Sequence, residues 1–227
     1  MTSNKNTSII LVHGLGVSGD YYIKYAQKLA PYYDVYIIDL PGYGKTPKPS
    51  APLNVAQLAQ VLQTYLSTTG LVNMVIVGQS MGCQIVAHTI KLSPSLFSKA
   101  LLLAPTVNSK ERTVFMQALR LWQDTFRETI KVNSIVFINY ARMGMRRFLV
   151  TSKYMVDDHI EDTVSDISLP ILYVSGSRDV IAPTLWTTYL AGITKKGSSI
   201  EINAAPHLLQ YQKPDELVSI TREFIEA

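Results

Sequence analysis

The sequence contains little cysteine and no long apolar run, and each shortage excludes a class of protein. Cys83 is the single cysteine among 227 residues, which excludes an intrachain disulfide and a cysteine-rich metal site. No uninterrupted apolar run approaches the ~20 residues that a membrane-spanning helix needs. The first ten residues, MTSNKNTSII, contain no apolar signal-peptide segment. We therefore expect a soluble, cytoplasmic protein with no membrane partner.

Basic residues slightly outnumber acidic ones, but they are scattered along the chain. The formal charge is +4 and the isoelectric point is near 9.0. The densest basic group is Arg142, Arg146 and Arg147, and no stretch interleaves basic and aromatic residues as nucleic-acid binders do. These arginines could bind a substrate carboxylate, although a solvent-facing helix is the favoured interpretation. We expect a small-molecule substrate and no nucleic-acid partner, and the sequence leaves the oligomeric state open.

Short apolar segments alternate with segments of helical length, and 47% of the residues are hydrophobic, enough for a substantial core. Six apolar segments predict strands, at residues 8–12, 34–40, 74–77, 99–104, 169–175 and 199–203. Helical patterns lie at residues 20–30, 54–70, 83–92 and 214–227. Because apolar strands that alternate with helices form parallel sheets covered on both faces, the sequence predicts an α/β fold.

The interval between the fourth and fifth predicted strands is unusually long. Residues 106–166 contain no strand pattern, and helices fit at about 109–130, 133–150 and 151–163. Six aromatic side chains are expected mostly to pack, with one or two lining a substrate pocket: Phe115, Trp122, Phe126, Phe137, Tyr140 and Phe148. We expect residues 106–166 to form a helical cap on a core domain made of residues 1–105 and 167–227.

A turn of glycine and serine joins the third predicted strand to the following helix. Residues 78–82 read Gly-Gln-Ser-Met-Gly. The turn is so tight that side chains at Gly78 and Gly82 would collide with neighbouring backbone, and glycine tolerates the strain. Such a turn lifts the Ser80 hydroxyl out of the sheet and points the first amides of the helix at a reacting carbonyl. The stretch therefore predicts a nucleophilic serine.

Four further motifs accompany this turn along the chain. They lie at residues 13–16 (HGLG), 39–46 (DLPGYGKT), 176–183 (GSRDVIAP) and 205–207 (APH). Together the five stretches resemble the α/β-hydrolase superfamily, in particular its cap-bearing serine esterases. The resemblance implies an α/β-hydrolase fold, with helices on both faces of the sheet and a helical cap inserted after the fourth strand.

The chain departs from the family pattern in two places. Family members usually begin with two further strands before the HGxG strand, and here about seven residues precede it. We therefore expect an all-parallel sheet of about six strands. The histidine loop commonly has glycine before the histidine, and here that residue is Pro206.

The resemblance implies a catalytic triad in the chain order Ser80, Asp179, His207. His207 would take the proton of Ser80, and Asp179 would hold the imidazole in the correct tautomer. Backbone amides of Leu15 and Met81 would form the oxyanion hole.

Other titratable residues are weaker candidates for these roles. His13 belongs to the oxyanion loop, His88 lies in the helix after Ser80, and His159 lies in the cap. Asp39 ends a strand, but its place in the family pattern indicates a structural role in the next turn. Glu111 is a remote alternative for the acid.

The expected function is hydrolysis of a small or medium apolar carboxylic ester through an acyl-enzyme intermediate, without a metal or organic cofactor. The same fold and triad also serve C–C bond hydrolysis, lyase reactions and cofactor-free perhydrolysis, and some relatives are small-molecule receptors. The fold does not fix the reaction. The sequence therefore leaves the substrate and the bond that is cleaved open.

Overall fold

The computed structural model describes residues 7–227. Six strands form one parallel sheet in the order β2-β1-β3-β4-β5-β6. The strands are β1 (Ser8–Val12), β2 (Asp34–Ile38), β3 (Met74–Gln79), β4 (Phe97–Leu103), β5 (Ile171–Gly176) and β6 (Gly197–Ile202). The predicted six-stranded parallel sheet is confirmed for these residues. The expectation that no strand pair precedes it falls on residues 1–6, which lie outside the described part of the chain.

Ten α-helices occur in residues 7–227, none of them long and apolar enough to cross a bilayer. The first three are α1 (Ile23–Leu29), α2 (Val55–Thr68) and α3 (Met81–Leu92). The next four are α4 (Val114–Thr125), α5 (Ile130–Met143), α6 (Met145–Asp157) and α7 (Ile160–Val164). The last three are α8 (Thr184–Ile193), α9 (Leu209–Gln212) and α10 (Pro214–Glu226).

The core lies on both faces of the sheet, because side chains alternate along each strand. Ile10 and Val12 of β1 point to one face, where they join the buried residues of α2, α3 and α8. Ile9 and Leu11 point to the other face, where they join those of α1 and α10. The central strands β1, β3 and β5 are buried along their whole length, as expected of a parallel sheet covered on both sides.

Helix α8 was not predicted from the sequence. It connects β5 to β6, and two neighbouring parallel strands require a crossover of this kind. Its sequence, TLWTTYLAGI, contains three threonines and a glycine, which have low helix propensity. Trp186 and Leu190 nevertheless lie four residues apart and are buried against the sheet. Packing therefore overrides local propensity in this segment.

The connection from β4 to β5 contains helices α4 to α7, which agrees with a helical insertion after the fourth strand. The predicted helix boundaries are wrong at two points, because α6 also runs through the predicted boundary between residues 150 and 151. Residues 133–150 are not one helix, because Gly144 adopts a φ of 88° and separates α5 from α6. A residue in this left-handed conformation ends a helix, and glycine adopts it without steric cost.

The expectation that the cap aromatics mostly pack is also wrong for four of the six. Phe115, Trp122, Phe126 and Phe137 are 60–75% exposed. Tyr140 and Phe148 are partly buried and pack together, with ring centroids 4.8 Å apart. The outer surface of the cap is therefore unusually apolar.

Candidate active site

Ser80 lies at the turn between β3 and α3 and has a strained backbone. Its φ of 56° and ψ of −125° lie in a region that residues with a side chain rarely occupy, at a cost of about 1–3 kcal/mol. A Cβ atom added to Gly78 would lie 2.6 Å from the carbonyl oxygen of Gly82. One added to Gly82 would lie 2.4 Å from that of Val12. The two glycines therefore allow the tight turn, as predicted.

The structure brings Asp179 and His207 together. Asp179 follows β5, and its Oδ2 lies 2.9 Å from Nδ1 of His207. Its other oxygen, Oδ1, accepts hydrogen bonds from the backbone amides of Ile181 and Ala182 at 2.8 and 2.9 Å. Both side chains are almost fully buried. The carboxylate is thus fixed with one oxygen available for Nδ1–H, an arrangement that leaves Nε2 of a neutral imidazole without a proton.

The charge state of His207 depends on several carboxylates. Burial alone lowers the pKa of His207, but the charge and hydrogen bond of Asp179, together with the charges of Asp124 and Glu128, raise it to about 9. The carboxylates therefore favour the protonated form of the imidazole. The base form of His207 becomes populated as the pH rises towards 9.

The loop at residues 13–16 lies against the serine turn. A Cβ atom added to Gly14 would lie 3.0 Å from Cβ of Ser80. Nδ1 of His13 donates to the carbonyl of Gly14 at 2.9 Å, and its Nε2 accepts from the amide of Leu40 at 3.1 Å. Burial lowers the pKa of His13, which agrees with a neutral ring in this tautomer. His13 therefore orders the loop.

Leu15 and Met81 are the two residues whose amides were predicted to form the oxyanion hole. Leu15 lines the same cavity as Ser80. Met81 is the first residue of α3, so its N–H has no acceptor within the helix. The positive end of the α3 dipole adds to the attraction for an anion at this point.

A hydrogen-bond network that the sequence analysis did not identify links these loops. The amide of Gly14 donates to the hydroxyl of Tyr21, which donates to Oε1 of Gln79, both at 3.0 Å. Nε2 of Gln79 then donates to the carbonyl oxygen of His207 at 3.3 Å. Burial raises the pKa of Tyr21, which keeps its hydroxyl protonated as a donor. Tyr21 and Gln79 therefore couple the loop at residues 13–16 to the loop that carries His207.

Ser80 and His207 line a cavity of about 340 Å³ between the sheet edge and helices α4 to α6. Its wall is mostly apolar, with cap side chains that include Val114, Leu121, Val136, Tyr140, Phe148 and Met155. Trp122, Phe137 and Leu149 line the cavity and are also exposed, so they mark its mouth. This wall suits an apolar ligand.

Two carboxylates near His207 were also missed. Asp124 of α4 is 4% exposed, and its Oδ1 has no hydrogen-bond partner among the described residues. Burial raises its pKa to about 7, with Glu128 and Asp179 also raising it and His207 lowering it. Glu128 accepts from the amide of Leu208 at 2.9 Å and from Nε2 of Gln212 at 2.8 Å, and burial raises its pKa as well.

The weaker candidates have other partners. Nε2 of His88 lies 2.6 Å from Oδ1 of Asp158, and the half-exposed His159 lies 3.6 Å from Asp162. Glu111 forms an ion pair with Arg120. None of His88, His159 and Glu111 is among the described residues that line the cavity.

Asp39 forms hydrogen bonds to the backbone of two loops. Its carboxylate accepts from the amides of Gly19 and Lys45 at 2.8 and 3.1 Å, which ties the two loops together. In the basic group, Arg142 and Arg146 are exposed, and Arg147 donates to the carbonyl of Pro49 at 2.7 Å. Within residues 7–227, His, Cys, Asp and Glu side chains form no group of three or more that could hold a metal ion.

Several known proteins are similar to this chain in sequence or in fold. The chain is 21% identical over 255 residues to the pimeloyl-[acyl-carrier protein] methyl ester esterase of Photobacterium profundum, covering 99% of this chain and 97% of the relative. A thermophilic esterase from Thermogutta terrifontis superposes with a TM-score of 0.83 at 18% identity, covering 97% of this chain and 89% of that one. A bromoperoxidase from Bacillus anthracis gives a TM-score of 0.79 at 16% identity, covering 97% and 92%.

The family described as "alpha/beta hydrolase fold" matches residues 7–139, more than half of the chain. This match covers β1 to β4, the serine turn and the first part of the cap. The chain therefore belongs to the α/β-hydrolase fold family.

Proposed function

We propose that the protein is a serine hydrolase that cleaves small or medium apolar carboxylic esters through a Ser80–His207–Asp179 triad. The observation that carries the proposal is the buried contact between Asp179 and His207 beside an apolar cavity that Ser80 also lines. Names of relatives support the reaction class, since the Photobacterium protein is a methyl ester esterase and the Thermogutta protein an esterase.

Each group has one task in the proposed reaction. Ser80 Oγ attacks the ester carbonyl carbon while Nε2 of His207 takes its proton. Asp179 stabilises the imidazolium that forms, and the amides of Leu15 and Met81 donate to the developing oxyanion. An oxyanion donor is commonly worth about 3 kcal/mol in the transition state. His207 then protonates the leaving alkoxide, and a water molecule that it activates releases the acid from Ser80.

The cavity indicates the kind of ester. Its volume of about 340 Å³ and its apolar wall suit a short or medium chain rather than a polymer. None of the described residues that line it is lysine or arginine. Acidic side chains do line it, namely Asp124 and Glu128, so an acyl chain that ends in a free carboxylate is disfavoured.

We also propose that residues 106–166 act as a mobile cap over a core domain made of residues 1–105 and 167–227. Helices α3 and α4 are both 12 residues long, but nine residues of α3 are buried and two of α4. Segments with few buried contacts open more readily than the core. A cap that moves would admit substrate through the mouth near Trp122 and Phe137.

Ester turnover tests the proposed function. Wild-type protein should hydrolyse p-nitrophenyl and methyl esters of graded acyl length, with the highest kcat/KM for short or medium chains. Ser80→Ala should reduce the rate to background and leave the circular dichroism spectrum unchanged, because only the nucleophile is lost. Turnover that survives Ser80→Ala would contradict the proposal.

The wild type also distinguishes the alternative functions. Binding of ligands without turnover would favour a receptor. C–C cleavage, lyase or perhydrolase activity without esterase activity would favour the corresponding enzyme class.

Replacing the acid should be costly. Asp179→Asn keeps the shape of the side chain, but its amide group can favour the wrong imidazole tautomer, a change worth about 10⁴ in turnover in a serine protease. We expect kcat to fall at least about a hundredfold. The carboxylate that raises the pKa of His207 is also lost, so the midpoint of the pH–rate profile should move from about 9 to lower pH.

Glu111→Gln is the control for that substitution, because it removes a carboxylate that pairs with Arg120 instead. It should leave both kcat and the pH midpoint nearly unchanged. Retention of more than a tenth of wild-type kcat by Asp179→Asn would show that Asp179 is not the acid.

Hydrogen exchange tests the mobile cap. Amides of α4 should exchange faster than those of α3, because α4 has fewer buried contacts to hold it closed. Mass spectrometry of peptides from the two helices gives the comparison within one sample. Equal protection of α3 and α4 would indicate a fixed roof over Ser80.

A further inference from the structure

One face of α4 presents polar side chains to an otherwise apolar cavity. Gln117, Leu121 and Asp124 are spaced four and three residues apart and line the cavity, followed by Glu128 just beyond the helix. This spacing places them on one side of a helix. Gln117 and Asp124 are polar exceptions on this side of α4, because most of its cavity-lining residues are apolar: Val114, Ala118, Leu121 and Trp122.

Three of these side chains are polar, and two already have partners. Nε2 of Gln117 donates to the carbonyl of Glu111 at 3.0 Å, and both oxygens of Glu128 accept hydrogen bonds from the histidine loop and α9. Asp124 differs, because its Oδ1 is buried without a partner among the described residues. A buried oxygen without a hydrogen bond destabilises the folded protein.

A second unsatisfied oxygen lines the same cavity. Thr106, just after β4, is 1% exposed, and its Oγ1 has no hydrogen-bond partner among the described residues. Most buried polar atoms in proteins are hydrogen-bonded, so two exceptions in one cavity beside Ser80 require an explanation. A ligand that hydrogen-bonds to both oxygens provides one.

The charges around Asp124 indicate what such a ligand group must be. Glu128 and Asp179 lie near it, His207 is the nearby group that becomes cationic, and the hydroxyl of Tyr140 is also close. Burial and the two carboxylates outweigh the opposite effect of His207 and raise the pKa of Asp124 to about 7, which favours a neutral carboxyl below that pH. An anionic substrate group would be repelled by the carboxylates. A cationic group would lose its hydration in a mostly apolar cavity, and a neutral Asp124 carboxyl would not compensate for that loss.

A neutral hydroxyl group avoids both costs. It donates to an oxygen of Asp124 in either protonation state of that carboxyl, and it also accepts from the hydroxyl of Thr106. We propose that Asp124 and Thr106 bind a hydroxyl group carried by the substrate, so that the preferred substrates are hydroxylated apolar esters. The inference rests on the proposed esterase function and adds the substrate class to it.

Pairs of esters that differ in one group test the inference. In each pair one member has a hydroxyl where the other has a methyl: hydroxyethyl butanoate against propyl butanoate, and methyl ω-hydroxyhexanoate against methyl heptanoate. The two pairs place the hydroxyl on the alcohol side and on the acyl side. The readout is the ratio of kcat/KM for the hydroxyl member to that for the methyl member.

For at least one pair, the hydroxyl-to-methyl ratio of kcat/KM should be at least about tenfold higher in the wild type than in Asp124→Leu. A site that hydrogen-bonds a hydroxyl selects for it, whereas an apolar pocket discriminates only weakly against it. Asp124→Asn keeps an acceptor oxygen and should lose less. Thr106→Val removes the second hydroxyl contact and should lower the same ratio. Asp162→Asn, an exposed carboxylate of the cap, is the control and should leave it unchanged.

Stability provides an independent readout. Asp124→Leu replaces a buried carboxyl, whose Oδ1 has no partner among the described residues, by an apolar group of similar size. Tm should therefore stay the same or rise, while the selectivity falls. A residue retained only for stability would lower Tm when replaced. If Asp124→Leu does not fold, Asp124→Asn and Thr106→Val carry the test.

Two kinetic results would overturn the inference. One is a ratio that Asp124→Leu and Thr106→Val leave unchanged in both pairs. The other is a higher kcat/KM for the matching aminoethyl ester than for the hydroxyethyl ester, which would show that the site prefers cations.

Calorimetric binding of the same pairs to Ser80→Ala measures the hydroxyl preference without turnover. A lack of ester turnover by the wild type would therefore contradict the proposed function, whereas equal binding of both members would contradict this inference.

Discussion

The close approach of loops at the carboxyl edge of the sheet is the constraint on which the site depends. A Cβ atom added to Gly82 would lie 2.4 Å from the carbonyl oxygen of Val12. One added to Gly176 would lie 2.2 Å from the carbonyl oxygen of Ala205. The first contact seats the serine turn against the end of β1, and the second seats the acid loop against the histidine loop. Glycine is required at both points. A side chain at Gly82 would push the serine turn away from β1, and one at Gly176 would push the loop of Asp179 away from the loop of His207.

The cap contributes to this edge as well as covering it. Glu128 accepts a hydrogen bond from the amide that follows His207, so the position of the histidine loop depends on the cap. Glu128 and Asp124 also raise the pKa of His207, in addition to the larger effect of Asp179. Any movement of α4 would therefore change both the position and the charge of the proposed base. Opening of the cap, as proposed, would thus alter access to the cavity and the charge state of His207 together.

The strands and the motif residues could be predicted because their signals are local. A run of apolar residues that ends at glycine marks a buried strand, and the turn around Ser80 requires small residues at fixed spacing. Gln79 could not be found in this way, since the G-x-S-x-G pattern leaves its position unspecified and its partners are distant in sequence. Helix α8 has low propensity and is stabilised by packing. The aromatic residues of α4 suggest from sequence that they face inward and that Asp124 faces solvent. In the structure the orientation is the reverse, so the burial of Asp124 could not be predicted.

The central claim is that His207, held by Asp179, activates Ser80, and the pH dependence of covalent labelling tests it most directly. A fluorophosphonate probe should form a single adduct, on Ser80, at a rate that rises with pH to a midpoint near 9 as His207 loses its proton. His207→Ala should remove this dependence together with most of the rate. Labelling of another residue, or labelling of Ser80 at a rate that is the same with and without His207, would contradict the account.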